Sequence, residues 1–200
     1  MSVTVTNCNS KSTEYQMARE GVYTQLMLNS AGDRNNHFLA LIISTWRVGC
    51  GVLPEWLGLS KASFYNLLDH NFPKFHFSDD FVCLTSFDKA RMPEREDLVG
   101  LLMEGRTRID ENERWLAEIT ATACIGMDHL WQDMGLWSRK SLSELLHLNF
   151  PQLAKKNDRD MKWKKFLYKE LCKKEGIYIC RSPSCDVCDD YDNCFGSEEE

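Results

Sequence analysis

Apolar residues recur along most of this chain at the three- and four-residue spacing of amphipathic helices. In the segment 94–106, for example, Leu98, Leu101 and Leu102 fall at positions i, i+3 and i+4. Strand-type alternation is almost absent, so the pattern predicts an all-α fold. The predicted helices cover residues 13–29, 37–46, 61–71, 94–106, 111–124 and 158–174.

Polar residues and prolines predict where several of these helices begin and end. Ser60 is a favourable N-cap for the helix 61–71, and Pro73 closes it. Asn157 is the expected N-cap of the helix 158–174. Residues 74–93 show no sustained helical period and are predicted to form an irregular connection.

Two stretches of the chain resemble each other. Segments that open with Gly58-Leu-Ser and Gly135-Leu-Trp-Ser both end in Asn-Phe-Pro, at residues 71–73 and 149–151, and residues 42–53 match residues 119–130 upstream. Two capped amphipathic helices that end in Phe-Pro would look alike by chance. Matching offsets over about thirty residues favour a duplicated helix–loop–helix unit and a bundle-like core.

The second copy carries two side chains that could bind a metal and that the first copy lacks. Cys124 and His129 stand where the first copy has Arg47 and Val52. A single histidine near aromatic residues is more often a hydrogen-bonded structural residue than a ligand, and a lone cysteine is often a small buried hydrophobe. A ligand role for His129 stays open.

Composition and charge divide the chain into two parts. The chain has 200 residues, of which 43% are hydrophobic and 27% charged, as in an ordinary globular protein with one core. Its net charge of −6 argues against a nucleic-acid-binding protein. Residues 155–175 hold nine basic and four acidic side chains, whereas residues 176–200 hold one basic and seven acidic ones. We therefore expect a helical domain over 1–175, with 1–12 disordered, and an irregular cysteine-rich tail over 176–200.

The tail holds the strongest chemical signal, a C-x4-C-x2-C-x5-C run formed by Cys180, Cys185, Cys188 and Cys194. Thiolates are soft ligands that select iron–sulfur clusters, zinc or Cu(I). Structural zinc usually takes two tight C-x2-C pairs, whereas C-x4-C-x2-C is a spacing found in plant-type ferredoxins. The spacing favours a cluster, and zinc remains an alternative.

Other classes of function find little support in the residues. The N-terminus has no secretory pattern, no apolar run is long enough to span a membrane, and the total of nine cysteines is odd. These features predict a cytoplasmic protein with reduced thiols rather than disulfides. Nucleotide-binding, serine-hydrolase and zinc-protease motifs are missing, so an enzyme is not expected.

Several blocks of the chain together resemble the NifQ family. They are His129-Leu-Trp-Gln-Asp-Met-Gly-Leu-Trp-Ser-Arg, Asp160-Met-Lys-Trp-Lys-Lys-Phe, Cys180 to Cys194-Phe-Gly, Leu53-Pro-Glu-Trp-Leu-Gly-Leu and Glu96-Asp-Leu-Val. The resemblance covers the chain from about Phe38 onward and leaves out the first 35 or so residues. The cysteine run and the Met-Lys-Trp-Lys-Lys-Phe block are its most specific parts.

The resemblance implies a molybdenum carrier for biosynthesis of the nitrogenase iron–molybdenum cofactor. In this family the four cysteines are thought to hold an iron–sulfur cluster that contains molybdenum, with molybdate as the metal source. The ligands would be Cys180, Cys185, Cys188 and Cys194, and Cys172 is a possible fifth thiol. The implied partners are the nitrogenase Fe protein and the cofactor-assembly scaffold complex, with no nucleic acid and no membrane. The alternative is a zinc-stabilised regulatory or protein-interaction module.

The lysine-rich helix and the tail carry two further expectations. Lysines such as Lys164 and Lys165 would attract molybdate or dock an acidic partner, or they form a solvated helix face. The tail is expected to lie exposed and to fold around its cluster.

Overall fold

The structure is a computed structural model that describes residues 13–76, 93–108, 110–176 and 191–198. The described residues are all-α, as predicted. The helices are α1 Thr13–Leu28, α2 Asn36–Arg47, α3 Lys61–Asn71, α4 Arg95–Glu104, α5 Glu111–Ala123, α6 Leu130–Asp133, α7 Arg139–Asn149, α8 Pro151–Ala154, α9 Trp163–Lys174 and α10 Tyr191–Phe195, with a 3₁₀ turn over Glu55–Gly58. None of the described helices is long and apolar enough to cross a membrane.

The two resembling stretches fold as two similar units. The first consists of α2, the 3₁₀ turn and α3, and the second of α5, α6 and α7. Each last helix begins at a serine cap, because Ser63 N donates to Ser60 Oγ at 3.0 Å and Ser141 N donates to Ser138 Oγ at 3.1 Å. The phenylalanines that end these helices, at positions 72 and 150, are fully buried.

The two units contact each other through a reciprocal pair of hydrogen bonds. Asn71, at the end of α3, donates from Nδ2 to Asn112 Oδ1 in α5 at 2.7 Å. Asn149, at the end of α7, donates in the same way to Asn35 Oδ1 at the start of α2, at 2.8 Å. Each unit therefore ends against the beginning of the other, and the shared core lies between them.

The start of α9 differs from the predicted one. The helix begins at Trp163 with Lys162 as its N-cap, not at Asp158 behind an Asn157 cap. The Asn157 side chain instead closes a loop, since its Oδ1 accepts from Met161 N and its Nδ2 donates to Met161 O, both at 2.8 Å. The predicted irregular connection falls largely on 77–92, outside the described residues. Cys50 is disulfide-bonded, so the prediction of reduced thiols is wrong at this residue.

Candidate metal centre

Of the four motif cysteines, Cys194 lies within the described residues and Cys180, Cys185 and Cys188 lie outside them. Cys194 is a free, half-buried thiol on the short helix α10. Together with Phe195 it packs against the hydrophobic core. The described end of the tail thus contains a helical turn that contacts the domain, where the sequence predicted an irregular segment.

Lys162 attaches α10 to the domain directly before α9 begins. Its backbone N–H donates to Cys194 O at 2.8 Å, and its Nζ donates to Asp192 O at 3.0 Å. The ring of Tyr191 stacks on that of Phe195, with centroids 4.6 Å apart. The backbone that carries the fourth motif cysteine is held from both the main chain and the side chain of one residue.

The tail is anchored a second time at Glu198. Its side chain is only 3% exposed, its Oε2 lies 3.2 Å from Arg139 Nε, and its Oε1 lies 3.7 Å from His129 Nδ1. Arg139 also pairs with the exposed Asp160, with Nη2 and Oδ1 2.6 Å apart. Arg139 and His129 both belong to the second unit, so the end of the tail lies on that unit.

The Met161-Lys-Trp-Lys-Lys-Phe block links α9 to the second unit. Trp163 is buried and donates from Nε1 to Ser143 Oγ at 2.9 Å. Lys164 Nζ donates to Gly126 O and to Asp128 O, each at 2.8 Å, and pairs with the buried carboxylate of Asp133. Lys164 is therefore committed to an internal contact, whereas Lys165 is exposed.

Burial governs the electrostatics around this link. Burial raises the pKa of the Asp133 carboxyl, and the Lys164 ammonium beside it opposes the shift. Burial also raises the pKa of the Cys124 thiol to about 12. Cys124 is a free thiol inside the core, which agrees with its interpretation as a small buried hydrophobe.

The other two candidate ligands lie apart. His129 precedes α6, where its backbone N–H donates to Gln132 Oε1 at 3.2 Å, and its ring is near Glu198. Cys172 lies in the last turn of α9, about 15 Å along the helix from Lys162 at 1.5 Å per residue. Within the described ranges, no group of three or more His, Cys, Asp or Glu side chains is placed to hold a metal ion.

Sequence reasoning missed both anchors of the tail. Lys162 and Arg139 lie inside the blocks that carry the family resemblance. Those blocks indicate that the two residues matter, but not what they contact. Glu198 opens a run of three glutamates and looks like any solvated acidic residue. Only the fold shows that its carboxylate is buried.

Together, the fold and the site define a class: an all-α protein whose core has two similar helical units, with a cysteine-bearing tail docked on the second unit. The NifQ family model matches residues 38–196. The chain belongs to the NifQ family, which is related to nitrogen fixation.

Curated relatives give the same assignment. The chain is 41% identical over 183 residues to "Protein NifQ" of Azotobacter vinelandii, covering 83% of this chain and 91% of the relative. It is 35% identical over 153 residues to "Protein NifQ" of Rhodobacter capsulatus, covering 75% and 81%. It is 40% identical over 113 residues to "Protein NifQ" of Klebsiella pneumoniae, covering 56% and 66%. No solved structure gives a significant match.

Proposed function

We propose that this protein carries an iron–sulfur cluster containing molybdenum and supplies molybdenum for assembly of the nitrogenase iron–molybdenum cofactor. The cluster is the cargo, and its ligands are Cys180, Cys185, Cys188 and Cys194. The observation that carries the proposal is the C-x4-C-x2-C-x5-C run in a chain of the NifQ family. Four thiolates in one short segment are the donor set that such a cluster requires.

The surroundings of Cys194 suit a ligand of an anionic cargo. Its thiol is free and half-buried, while its backbone is held by Lys162. The guanidinium of Arg159 lies 5.5 Å from the ring centroid of the adjacent Phe195. A cluster on four thiolates is negatively charged, so cations close to this helix favour the loaded state.

The position of Cys194 favours transfer over electron transport. Clusters that only shuttle electrons are usually shielded, because burial tunes their potential. Here Cys194 lies on a helix of five residues that contains no buried residue, and its thiol is half-buried rather than enclosed. Molybdate would supply the metal, and the receiving partners would be the nitrogenase Fe protein and the cofactor-assembly scaffold complex in the cytoplasm. The protein would act as a carrier and not as an enzyme.

Anaerobic purification followed by metal analysis and a visible spectrum tests this function. We expect a brown protein that contains iron and molybdenum. Cys185→Ser should lose the colour and both metals, because it removes one of the four thiolates. Colourless wild-type protein with one equivalent of zinc would overturn the proposal in favour of a zinc-stabilised module.

Cys124→Ser is the matched control for the loss of a thiol. This residue is buried in the core, with a thiol pKa of about 12, and should leave the iron and molybdenum content unchanged. Metal loss in both variants would mean that the cargo depends on the fold in general and not on the tail.

A further inference from the structure

We propose that Glu198 is a positioning residue that holds Cys194 in place for the cargo, by fixing the end of the tail on Arg139 and His129. The inference rests on the proposed function in one respect, that Cys194 is a ligand of the cluster. Nothing in the cysteine run points to Glu198, which lies four residues beyond its last cysteine.

The burial of the Glu198 carboxylate indicates a specific contact. Asp192, at the other end of this segment, is exposed, as an acidic residue in a terminal tail normally is. Glu198 has a side chain only 3% exposed, between Arg139 Nε at 3.2 Å and His129 Nδ1 at 3.7 Å. A carboxylate leaves water at a cost of several kcal/mol unless a cationic partner compensates for it, and Arg139 is that partner, through an ion pair rather than a hydrogen bond. The pairing therefore fixes this residue on the domain.

The two anchors hold the chain at Cys194 and four residues after it. Lys162 holds the backbone at Cys194 itself, and Glu198 holds the chain after it. Four extended residues span at most about 14 Å, so a fixed Glu198 limits how far Cys194 can move from the domain. Gly196 allows the turn between them, because a Cβ at this position would lie 2.6 Å from Asp192 O.

The energetics place the effect on the tail and not on the core. Removing one partner of a buried ion pair is costly, but this segment can relieve the cost by leaving the domain, so the stability of the domain changes little. Its loss releases a local segment, and such a segment opens independently of the folded domain. The expected consequence of breaking the pair is a Cys194 thiol that is more accessible in a domain that is still folded.

Alkylation of the apo protein, resolved by residue with mass spectrometry, tests the anchor without any cargo. Glu198→Gln should raise the iodoacetamide rate at Cys194 about tenfold, the change for a local opening that is about 1.4 kcal/mol easier. The rate at Cys172, half-buried on α9, should stay the same and serves as the internal reference. An unchanged rate at Cys194 would overturn the proposal.

Three further variants separate anchoring from general charge effects. Arg139→Gln removes the partner of Glu198 from the other side and should match Glu198→Gln. Asp160→Asn removes the exposed partner of Arg139 and should behave like wild type, since asparagine tolerates the φ of +55° at that position. Glu198→Asp keeps the charge and should recover part of the protection. Equal acceleration in Asp160→Asn would contradict a specific role for Glu198.

Loss of iron to a chelator then connects the anchor to the cargo. Loaded Glu198→Gln should release iron several-fold faster than wild type, with an unchanged thermal midpoint. Equal release rates would overturn the positioning role even if alkylation had changed. Wild-type protein without iron would overturn the proposed function, while the alkylation rates would still decide whether Glu198 anchors Cys194.

Discussion

The two units share a fold, but at one pair of equivalent positions the first unit has an aromatic residue and the second has a carboxylate. Two residues before the glycine that opens the matching segments, the first unit has Trp56 and the second has Asp133. Trp56 packs on Phe64, with ring centroids 5.4 Å apart. Asp133 is instead a buried carboxylate paired with Lys164 of α9. At this position the first unit is stabilised by aromatic packing within the unit, whereas the second is stabilised by an ion pair with α9.

This difference lies next to the place where the tail contacts the second unit. Lys164 fixes α9 on the second unit, and Lys162, two residues earlier, holds Cys194 O. Arg139 and His129 of the same unit face Glu198. The ion pair of Asp133 and Lys164 thus lies in the unit on which the described end of the tail docks.

The largest expected effect is on the ion pair that only the second unit has. Lys164→Met should lower the free energy of unfolding by about 4 kcal/mol at pH 7, because it leaves the carboxylate of Asp133, 1% exposed, without a cation. Lys165→Met, on the exposed side of the same helix, should change it by less than about 0.5 kcal/mol. Urea unfolding of both variants provides the measurement.

The pH dependence of Lys164→Met follows from the raised pKa of Asp133. A carboxyl whose pKa is higher in the folded state binds protons more tightly there, so acidification favours folding. Without Lys164, which lowers this pKa, the effect extends to higher pH. The deficit relative to wild type should shrink from pH 7 to pH 5, and adding Asp133→Asn should restore part of the stability at pH 7. A deficit that is equal at both pH values would mean that Asp133 is not the group left unpaired.

The next effect concerns the glycines that approach the other unit, Gly58 and Gly135. Both have a φ near +80°, and an added Cβ would lie 2.6 Å from Thr122 Cγ2 at Gly58 but 3.0 Å from Thr45 Cβ at Gly135. We expect Gly58→Ala to cost about 3 kcal/mol and Gly135→Ala about 2 kcal/mol, from backbone strain plus overpacking. Gly49→Ala, with a φ of +79° and open space around it, should cost only the strain of about 1 kcal/mol.

Thermal or urea unfolding of the three alanine variants checks this order. A Gly49→Ala cost equal to that of Gly58→Ala would show that backbone conformation alone sets the penalty. The close approach of the two units at these glycines would then be irrelevant to stability.

A smaller effect should separate the two asparagines that end α3 and α7. Asn71 Oδ1 accepts from Asn36 Nδ2 at 3.0 Å, whereas Asn149 Oδ1 is buried without a hydrogen-bond partner in the part of the chain that the structure describes. The second unit has Glu113 at the place of Asn36, and its carboxylate accepts from Arg108 N at 3.0 Å instead. Asn71→Ala should therefore cost about 2 kcal/mol and Asn149→Ala about 1 kcal/mol. Equal losses in urea unfolding would mean that the donor from Asn36 contributes nothing.

The sequence predicts most of the fold because local signals determine it. The helix over Lys61–Asn71 and its Ser60 cap are confirmed at the predicted residues. The start of α9 is wrong by five residues because the side chain of Asn157 bonds Met161 and closes a loop, an alternative that asparagine offers as readily as a helix cap. Propensity alone does not distinguish the two.

The candidate site was less predictable, for a different reason. Cys194 belongs to a short motif whose spacing carries its chemistry. Lys162 and Glu198 act through contacts with residues thirty or more positions away, and such contacts leave no periodic pattern in the sequence. Lys164 looks like one more lysine of a solvated face, and only its contact with Asp133 identifies it as a buried partner.

The smallest expected effect concerns the serine N-caps of α3 and α7, a feature that the two units share. Ser60 and Ser138 each accept a backbone N–H at 3.0 and 3.1 Å, from residues 63 and 141. Ser60→Ala and Ser138→Ala should each cost about 1 kcal/mol, since both leave a donor at a helix N-terminus unpaired. Ser→Asp at either position keeps the cap and should recover the loss. A clear inequality between the alanine variants, measured by urea unfolding, would show that docking of α9 and the tail stabilises α7 beyond its own cap.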